Sequence, residues 1–290
     1  MEAVWLRGAR SVSRSILHIS DVHFGPAHLP DRAAGVLDLV AARRPDLVIL
    51  SGDLTQRAKP VQFRAARRFV DEIGVPVIVV PGNHDVPLYR FWERSLAPFR
   101  AYRRHFAREL APDLSDDELL VIGFNTAFNF TLTGGRILRR QLDAATRVFS
   151  NASPDLFKIA VIHHHLLMPP RGHAPRVLWG ANRALHGLAA AGVDLVVAGH
   201  LHHSFVAQAN APVGGELPMT ILHTGTTTSS RGRQDEEGEN TCNWIELTRR
   251  EATVSSLWWS GREDGFVRKH SFCFKRRADE QTGREGVSGV

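Results

Sequence analysis

Features that would place this chain in several other classes of protein are missing from its sequence. It has two cysteines, Cys242 and Cys273, in 290 residues, which is too few for a disulfide scaffold, and we expect both to be reduced, packed thiols. No apolar run approaches the ~20 residues that a membrane-spanning helix needs. Arg7, Arg10 and Arg14 interrupt the stretch where a signal peptide would have its apolar core. These absences predict a cytoplasmic protein without a membrane partner.

Lysine is also scarce, so the basic residues are nearly all arginines. Lysine occurs only at positions 59, 158, 269 and 275, and the formal net charge is +6. An arginine side chain can bind two phosphate oxygens at once, and a basic site would attract an anionic substrate. A coding bias that spreads arginine over a solvated surface accounts for the same composition. The composition therefore permits a phosphate-binding function without requiring one.

The first two thirds of the chain alternate short apolar runs with stretches of helical periodicity. The apolar runs predict strands over 16–19, 47–50, 77–80, 119–124, 156–162 and 195–198. Apolar residues at helical spacing predict helices over 31–43, 61–73, 89–110 with a break at Pro98, 138–149 and 182–191. After His203 only strands are predicted, over 205–208, 219–223, 244–247, 253–259 and 266–274. This pattern is typical of an α/β layered fold with a strand-rich C-terminal third.

The chain shows no linker that would divide it and no internal repeat. We therefore expect one domain over residues 1–274. From Lys275 onward the sequence is polar and charged, so residues 275–290 are predicted to form a disordered tail.

Polar side chains of the kind that bind metal ions follow the predicted strands. They lie in five short segments: Asp21-Val-His23, Gly52-Asp53, Gly82-Asn83-His84-Asp85, His163-His164-His165 and Gly199-His200-Leu-His202. Because ligands bind beyond the carboxyl ends of the strands in an α/β sheet, these segments are expected to meet at one edge. Residues two apart in an extended segment point the same way, so Asp21 with His23, and His200 with His202, can each grip one ion.

The chemistry of these side chains indicates which ions they suit. Carboxylate, imidazole and amide oxygen favour zinc, manganese or iron over the metals of a soft thiolate site. A lone histidine at a strand end is usually a surface or packed residue, and a single Asp-x-His is common by chance. Five such segments in one order, each at a strand end, are much harder to obtain by chance and predict a two-metal hydrolase.

The order of the segments resembles that of the calcineurin-like metallophosphoesterase superfamily, whose pattern is Asp-x-His, Gly-Asp, Gly-Asn-His-Asp/Glu, His and Gly-His-x-His. Every element is present between Ile16 and His202. Two stretches, Ile16-Leu-His-Ile-Ser-Asp-Val-His-Phe-Gly25 and Gly135-Arg-Ile-Leu-Arg-Arg-Gln141, are most similar to the branch that contains bacterial class III cyclic-nucleotide phosphodiesterases. The resemblance implies a layered sandwich of two mixed β-sheets flanked by helices.

The resemblance also implies a role for each motif residue. One divalent ion would be held by Asp21, His23, Asp53 and His202, and the other by Asp53, Asn83, His163 and His200, with Asp53 bridging the two. The ions would be manganese, iron or zinc. His84 would face the scissile phosphate and stabilise or protonate the leaving oxygen, and Asp85 would orient its ring. Two ions ~3.5–4 Å apart can bind a bridging hydroxide that attacks the phosphorus while they neutralise charge on the phosphoryl oxygens.

The histidine triplet leaves one ligand open. Relatives often have two histidines followed by proline, and Leu166 stands where that proline would fall. Counting from the strand favours His163 as the ligand, whereas counting back from the missing proline favours His164. We expect His163.

Several functions are compatible with these motifs. The first is a phosphodiesterase that acts on a small anionic phosphate ester such as a cyclic nucleotide. A nuclease, a nucleotide-lipid pyrophosphatase and a phosphomonoesterase of the same superfamily are alternatives, but the sequence has no concentrated basic stripe and no clear membrane-seeking helix. A non-catalytic scaffold would be expected to have lost ligand residues. No nucleic-acid partner is predicted, and the oligomeric state cannot be read from the sequence.

The distribution of arginine bears on the substrate. No arginine lies within the motif segments, whereas protein phosphatases of this superfamily use arginines to bind a dianionic phosphate. A diester carries one negative charge, so we expect diesters to be preferred over monoesters. Arg57, Arg171 and Arg231 on predicted loops, and Arg90 at the start of the predicted helix 89–110, could still reach the site.

Overall fold

The computed structural model describes residues 14–131, 133–170, 176–210 and 216–276. The strands are β1 Arg14–Ile19, β2 Leu47–Leu50, β3 Val77–Val79, β4 Asp113–Ser115, β5 Leu119–Gly123, β6 Phe157–Val161, β7 Leu195–Ala198, β8 Phe205–Asn210, β9 Glu216–His223, β10 Thr241–Leu247, β11 Glu251–Ser260 and β12 Gly265–Lys275. The helices are α1 Pro30–Arg43, α2 Pro60–Glu72, α3 Phe91–Leu96, α4 Arg100–His105, α5 Arg139–Asn151 and α6 Ala181–Ala190.

The strands form two mixed sheets of six. The first has the order β12-β11-β10-β1-β2-β3, with β1, β2 and β3 parallel and the C-terminal strands antiparallel. The second has the order β4-β5-β6-β7-β9-β8, with β5, β6, β7 and β9 parallel and an antiparallel strand at each edge. The predicted two-sheet α/β sandwich is confirmed.

Three apolar layers hold the sandwich together. Between the sheets, side chains such as Ile16, Ile49, Val121 and Ile159 pack against one another. Alternate residues of the same strands point outward, because successive side chains in a strand face opposite ways. On one side they pack against α1, α2 and α4, and on the other against α5 and α6. The central strands are therefore buried on both faces, which is why they read as nearly continuous apolar runs.

The predicted break at Pro98 is confirmed: α3 and α4 lie on either side of it, because proline cannot continue a helical hydrogen-bond ladder. The structure differs from the prediction at two places. Helix α4 ends at His105 rather than at residue 110. Strand β4 was not predicted, since its three residues lie at a sheet edge with Asp113 and Ser115 exposed and give no alternating apolar signal.

The C-terminal boundary also needs correction. Strand β12 includes Lys275, and Arg276 is buried, with its guanidinium donating to the carbonyls of Pro154, Asp155, Leu156 and Arg249. The ordered domain therefore extends past residue 274, because Arg276 provides hydrogen bonds that composition alone does not reveal. The rest of the predicted tail, 277–290, lies outside the described residues.

Two further expectations were that both cysteines are reduced, packed thiols and that no helix spans a membrane. Both cysteines are free thiols; Cys242 is buried in β10, where burial raises the pKa of its thiol, but Cys273 is exposed on β12 rather than packed. Among the residues that the structure describes, no helix is long and apolar enough to cross a bilayer.

Candidate metal centre

The carboxyl ends of the parallel strands of both sheets carry the predicted metal ligands. Asp21 and His23 follow β1, Asp53 follows β2, Asn83 follows β3, His163 follows β6, and His200 and His202 follow β7. All seven side chains are buried. The sandwich thus brings together, at one place, ligand residues that are up to 181 positions apart in the sequence.

The backbone at these positions is unusual. Asp21, His23, Asp53, His200 and His202 all have positive φ, between 43° and 74°, and they are five of the nine non-glycine residues in this region of backbone space among the residues described. Such conformations cost about 1–3 kcal/mol each and persist only where the surroundings impose them. Here main-chain bonds do so: Asp21 N donates to Gly52 O at 3.0 Å and His23 N to Asp53 O at 3.0 Å.

Two glycines permit the close approach of the ligand loops. A Cβ atom on Gly82 would overlap the carboxylate and main chain of Asp53, and one on Gly199 would overlap the side chains of Ser20 and Asp21. Any larger residue at either position would push a ligand loop away from its neighbour.

The first cluster of candidate ligands consists of Asp21, His23, Asp53 and His202. Nε2 of His23 lies 3.1 Å from Nε2 of His202, and Nε2 of His202 lies 3.2 Å from Oδ1 of Asp21. Nε2 of His23 is 3.6 Å from carboxylate oxygens of both Asp21 and Asp53. Ring nitrogens and carboxylate oxygens that converge in this way are suited to a cation at their centre.

The hydrogen bonds of Asp21 support the same interpretation. Its Oδ2 accepts from Ser20 Oγ at 2.7 Å and from the backbone N of His200 at 2.9 Å. Its Oδ1 is buried, has no hydrogen-bond partner among the described residues, and faces the cluster. A bound cation would satisfy that oxygen.

The second cluster is formed by histidines after β6 and by His200 after β7. His200 and His202, which were expected to grip one ion together, lie in different clusters, because their backbone is not extended. Ligand atoms of His163, His164 and His200 all lie within 4.8 Å of one another. His163 Nδ1 donates to the carbonyl of Ser51 at 2.8 Å, which leaves Nε2 free as a ligand atom. That Nε2 lies 3.2 Å from Asn83 Oδ1 and 3.4 Å from Asp53 Oδ1.

Asp53 joins the two clusters. Its Oδ2 lies toward His23 and its Oδ1 toward His163. One carboxylate that offers a separate oxygen to each cluster has the arrangement required of a bridging ligand.

The structure bears on the choice between His163 and His164. His163 is the histidine whose Nε2 meets both Asn83 and Asp53. His164 Nδ1 lies 2.8 Å from Thr126 Oγ1, and its Nε2 is buried without a partner among the described residues. His164 is therefore still a candidate, but the contacts favour His163.

The histidines around the buried carboxylates differ in the form that their surroundings favour. Burial lowers the pKa of His23 to about 4, and burial also holds the pKa of His200 well below its ordinary value. Burial likewise disfavours the charged form of His163, but Asp53, Asp21 and the Ser51 carbonyl outweigh it and raise the pKa of His163 to about 9. The position between Asp53 and His163 thus attracts positive charge strongly.

His84 lies beside the first cluster rather than in it. Its Nδ1 donates to the carbonyl of Gln56 at 2.9 Å, and its ring stands perpendicular to that of His23 at 4.8 Å. Its backbone N donates to Asp53 Oδ1 at 2.8 Å. Burial lowers the pKa of His84, which favours the neutral ring, and Nε2 lies 3.2 Å from Nη1 of Arg231.

The predicted role of Asp85 is wrong. The His84 ring is oriented by the Gln56 carbonyl, whereas the Asp85 carboxylate points away from it and accepts from Leu54 N, Thr55 N, Thr55 Oγ1 and Gly82 N at 2.9–3.1 Å. Asp85 is buried because these donors surround it. Burial and then the charge of Asp53 raise the pKa of Asp85 to about 7, while the backbone hydrogen bonds act in the opposite direction. Asp85 therefore ties the loop that carries Asn83 to the loop that carries Asp53.

Sequence analysis overlooked a run of hydroxyl side chains after β9. Thr226 Oγ1 donates to the carbonyl of Asp21 at 2.7 Å, Thr228 Oγ1 donates to that of Val22 at 3.1 Å, and Thr227 Oγ1 accepts from Ser20 N at 3.0 Å. These buried residues fix the β1 loop from the opposite side. The signal was available, since a Thr- and Ser-rich run directly follows a predicted strand whose end lies at the same edge.

Of the three candidate arginines that the structure describes, Arg231 reaches the site. Nη1 of Arg231 lies 3.2 Å from His84 Nε2 and 3.4 Å from His23 Nδ1. Arg57 instead donates to the Gln56 carbonyl and stacks on Tyr89, and Arg90 binds Glu93 and the carbonyl of Ala58. Arg171 lies outside the described residues.

Comparison with known proteins gives consistent similarities. Residues 14–204 match the family described as calcineurin-like phosphoesterase. The chain is 26% identical over 269 residues to a cAMP/cGMP dual specificity phosphodiesterase from Mycobacterium tuberculosis, covering 80% of this chain and 75% of that one. It is 27% identical over 252 residues to a probable cyclic nucleotide phosphodiesterase from Rhodococcus erythropolis, covering 80% and 79%.

Other matches are shorter or more distant. A probable cyclic nucleotide phosphodiesterase from Synechococcus is 37% identical over 86 residues, but the match covers 27% of this chain and only 33% of that protein. Among solved structures, a dimetal phosphatase from Danio rerio has a TM-score of 0.64 at 12% identity, covering 91% of this chain and 99% of that one. At such low identity the structural likeness shows the fold alone.

Proposed function

Since the chain belongs to the calcineurin-like phosphoesterase family, we propose that it is a metal-dependent phosphodiesterase that hydrolyses a small anionic diester such as a cyclic nucleotide. The observation that carries the proposal is Asp53, whose two carboxylate oxygens face two separate clusters of buried ligand atoms. A buried carboxylate placed in this way can bridge two ions. Without a cation its burial would cost free energy, because buried charges need partners.

Two ions fit the residues present. Asp21, His23, Asp53 and His202 would hold one, and Asp53, Asn83, His163 and His200 the other. When bound, two such ions lower the pKa of a coordinated water and neutralise charge on a phosphoryl group. Oxygen and imidazole donors without thiolate support manganese or iron, with zinc as the third candidate.

The chain's own residues perform the remaining tasks. Ser51 and Gln56 accept the Nδ1 protons of His163 and His84, which fixes the orientation of both rings. With Nδ1 donating to Gln56, His84 must take up a second proton at Nε2 before it can stabilise or protonate a leaving oxygen. Asp85 and the hydroxyl run hold the ligand loops rigid, so that little reorganisation is needed when substrate binds.

Two considerations support a diester substrate. The relatives that cover most of this chain are named as cyclic-nucleotide phosphodiesterases. In addition, Arg57 and Arg90 each donate to a main-chain carbonyl, so the described residues do not form a multi-arginine site of the kind that suits a dianionic monoester. A singly charged phosphate matches this site better.

A substrate comparison tests the proposal. Protein loaded with Mn²⁺ should cleave bis-p-nitrophenyl phosphate with a higher kcat/KM than p-nitrophenyl phosphate at matched pH, by about tenfold or more, because one unit of charge rather than two must be accommodated. Cyclic AMP, cyclic GMP, a glycerophosphodiester and duplex DNA complete the panel. A clear preference for the monoester would overturn the phosphodiesterase proposal and indicate a phosphatase.

The compartment and the metals need their own measurements. We propose that the protein acts in the cytoplasm on a small phosphate ester. Cell fractionation tests the compartment, and metal analysis of protein purified without chelators tests the ions.

A further inference from the structure

Arg231 places a positive charge at the edge of the first cluster. Its side chain is half-buried, and Nη1 lies 3.4 Å from His23 Nδ1 and 3.2 Å from His84 Nε2. Among the residues described, no carboxylate forms an ion pair with it. A partly buried guanidinium without an acidic partner is unusual, because desolvating a charge is costly unless another group compensates it.

The contact between Arg231 and His23 is a contact between two donors. Nε2 of His23 faces Asp21, Asp53 and His202, so a ring that gives Nε2 to a cation carries its proton on Nδ1. The guanidinium is always a donor and never an acceptor. Two N–H groups 3.4 Å apart cannot satisfy each other, so the Nδ1–H of His23 needs an acceptor from elsewhere. Arg231 can donate one N–H to the free Nε2 of His84 at 3.2 Å, and its remaining N–H groups have no acceptor among the described residues.

The main chain of Arg231 is fixed to the cluster. Its carbonyl accepts from His202 Nδ1 at 2.6 Å, and Arg233 N donates to the carbonyl of His202 at 3.1 Å. The carbonyl contact directs His202 Nε2 into the cluster, and it also holds the Arg231 side chain beside His23 and His84. The position of the guanidinium is thus tied to that of a candidate ligand.

We propose that the Arg231 guanidinium and the Nδ1–H of His23 form an anion subsite for a non-bridging phosphoryl oxygen of the substrate. An anionic oxygen there would accept from both donors and neutralise the unpaired arginine. The His84 ring borders the same subsite, so an oxygen held by Arg231 would place the phosphorus close to the group assigned to the leaving oxygen. The substrate's identity rests on the proposed function, but the subsite can be tested without turnover.

Binding of inorganic phosphate to the Mn²⁺-loaded protein, measured by calorimetry, tests the subsite. R231A should weaken phosphate binding by about 10- to 100-fold, because a hydrogen bond between charged groups is lost. R231K keeps the charge but loses the planar fork, and should weaken binding by about 3- to 10-fold. R233A removes the same charge from an exposed position two residues away and should change binding by less than about twofold.

Manganese content and melting temperature are measured on every variant. Both should be unchanged, since the Arg231 carbonyl that contacts His202 is kept in all of them. Unchanged phosphate affinity in R231A, or no phosphate binding to the wild type, would overturn the subsite. Loss of manganese from both R231A and R231K would also overturn it, because Arg231 would then act by supporting the metal residues.

Diester turnover by the same proteins separates the two proposals. If the wild type binds phosphate through Arg231 but hydrolyses no diester, the proposed function fails and the subsite stands. If the wild type hydrolyses diesters and R231A binds phosphate normally, the subsite fails and the function stands.

Discussion

The two clusters that share Asp53 are built in different ways. In the cluster around Asp21, all four candidate ligands have positive φ, and the loop of Asp21 and His23 is bonded through the main chain to the loop of Asp53. In the cluster around His163, two consecutive histidines follow the regular strand β6, and both place a ring near His200. Backbone conformation therefore sets every ligand of the first cluster, whereas in the second it sets only Asp53 and His200, and side-chain partners select the histidine after β6.

This difference explains where the sequence was ambiguous. An Asp-x-His segment in a special loop conformation offers one arrangement of its side chains. A run of three histidines offers several, and only Asn83, Asp53 and Ser51 distinguish His163 from His164.

Removing the residue that the clusters share should have the largest effect. Asp53→Ala should lose both ions and reduce diester hydrolysis by on the order of 10³-fold, because several kcal/mol of charge stabilisation depend on them. Metal analysis by mass spectrometry and steady-state kinetics measure this. Asp38→Ala, on the exposed face of α1, is the matched control and should keep two ions. Two tightly held ions in Asp53→Ala would show that the clusters are independent.

Variants of the neighbouring residues His84 and Asp85 should distinguish a chemical role from a structural one. His84→Ala should keep both ions and its melting temperature but lose about 10²- to 10⁴-fold in rate, and the loss should be smallest for p-nitrophenolate, which needs little protonation. Asp85→Asn should instead lower stability by about 1–3 kcal/mol, because its amide N–H groups face backbone donors that now lack an acceptor. Thermal denaturation and kinetics measure both variants.

The opposite pattern would contradict these assignments. Equal losses for good and poor leaving groups would argue against His84 as the acid. A rate loss in Asp85→Asn without loss of stability would restore Asp85 as the residue that orients His84.

The smallest expected effect is the difference in metal binding between variants of His163 and His164 in the second cluster. His163→Ala should lose one ion outright, whereas His164→Ala should keep two ions with affinity for one of them weakened by about 10- to 100-fold, as expected of a neighbour that supports a ligand. Titration with Mn²⁺ after chelation measures both. The exposed His186→Ala on α6 is the control. Loss of an ion from His164→Ala alone would reverse the assignment.

The sequence determined most of the fold and the candidate ligand positions because their signals are local. Apolar runs, helical spacing and a glycine beside a ligand residue lie within a few positions of one another, and they placed β1, β2, β6 and β7 with the segments that follow them. Segments at equivalent strand ends must meet once the sheets form, so Asp21, Asp53 and His200 could be grouped without coordinates.

Only the tertiary structure decided the direction of individual side chains. Asp85 turns toward Leu54 and Thr55, about 30 positions away, and Arg231 reaches His23 from 208 positions away. Nothing in the neighbouring residues fixes those directions, because they depend on which donors and acceptors the packed loops leave unsatisfied. The sequence by itself therefore determined which segments could hold metal ions, and packing decided which arginine faces them, which carboxylate supports them and which histidine of the triplet meets Asp53.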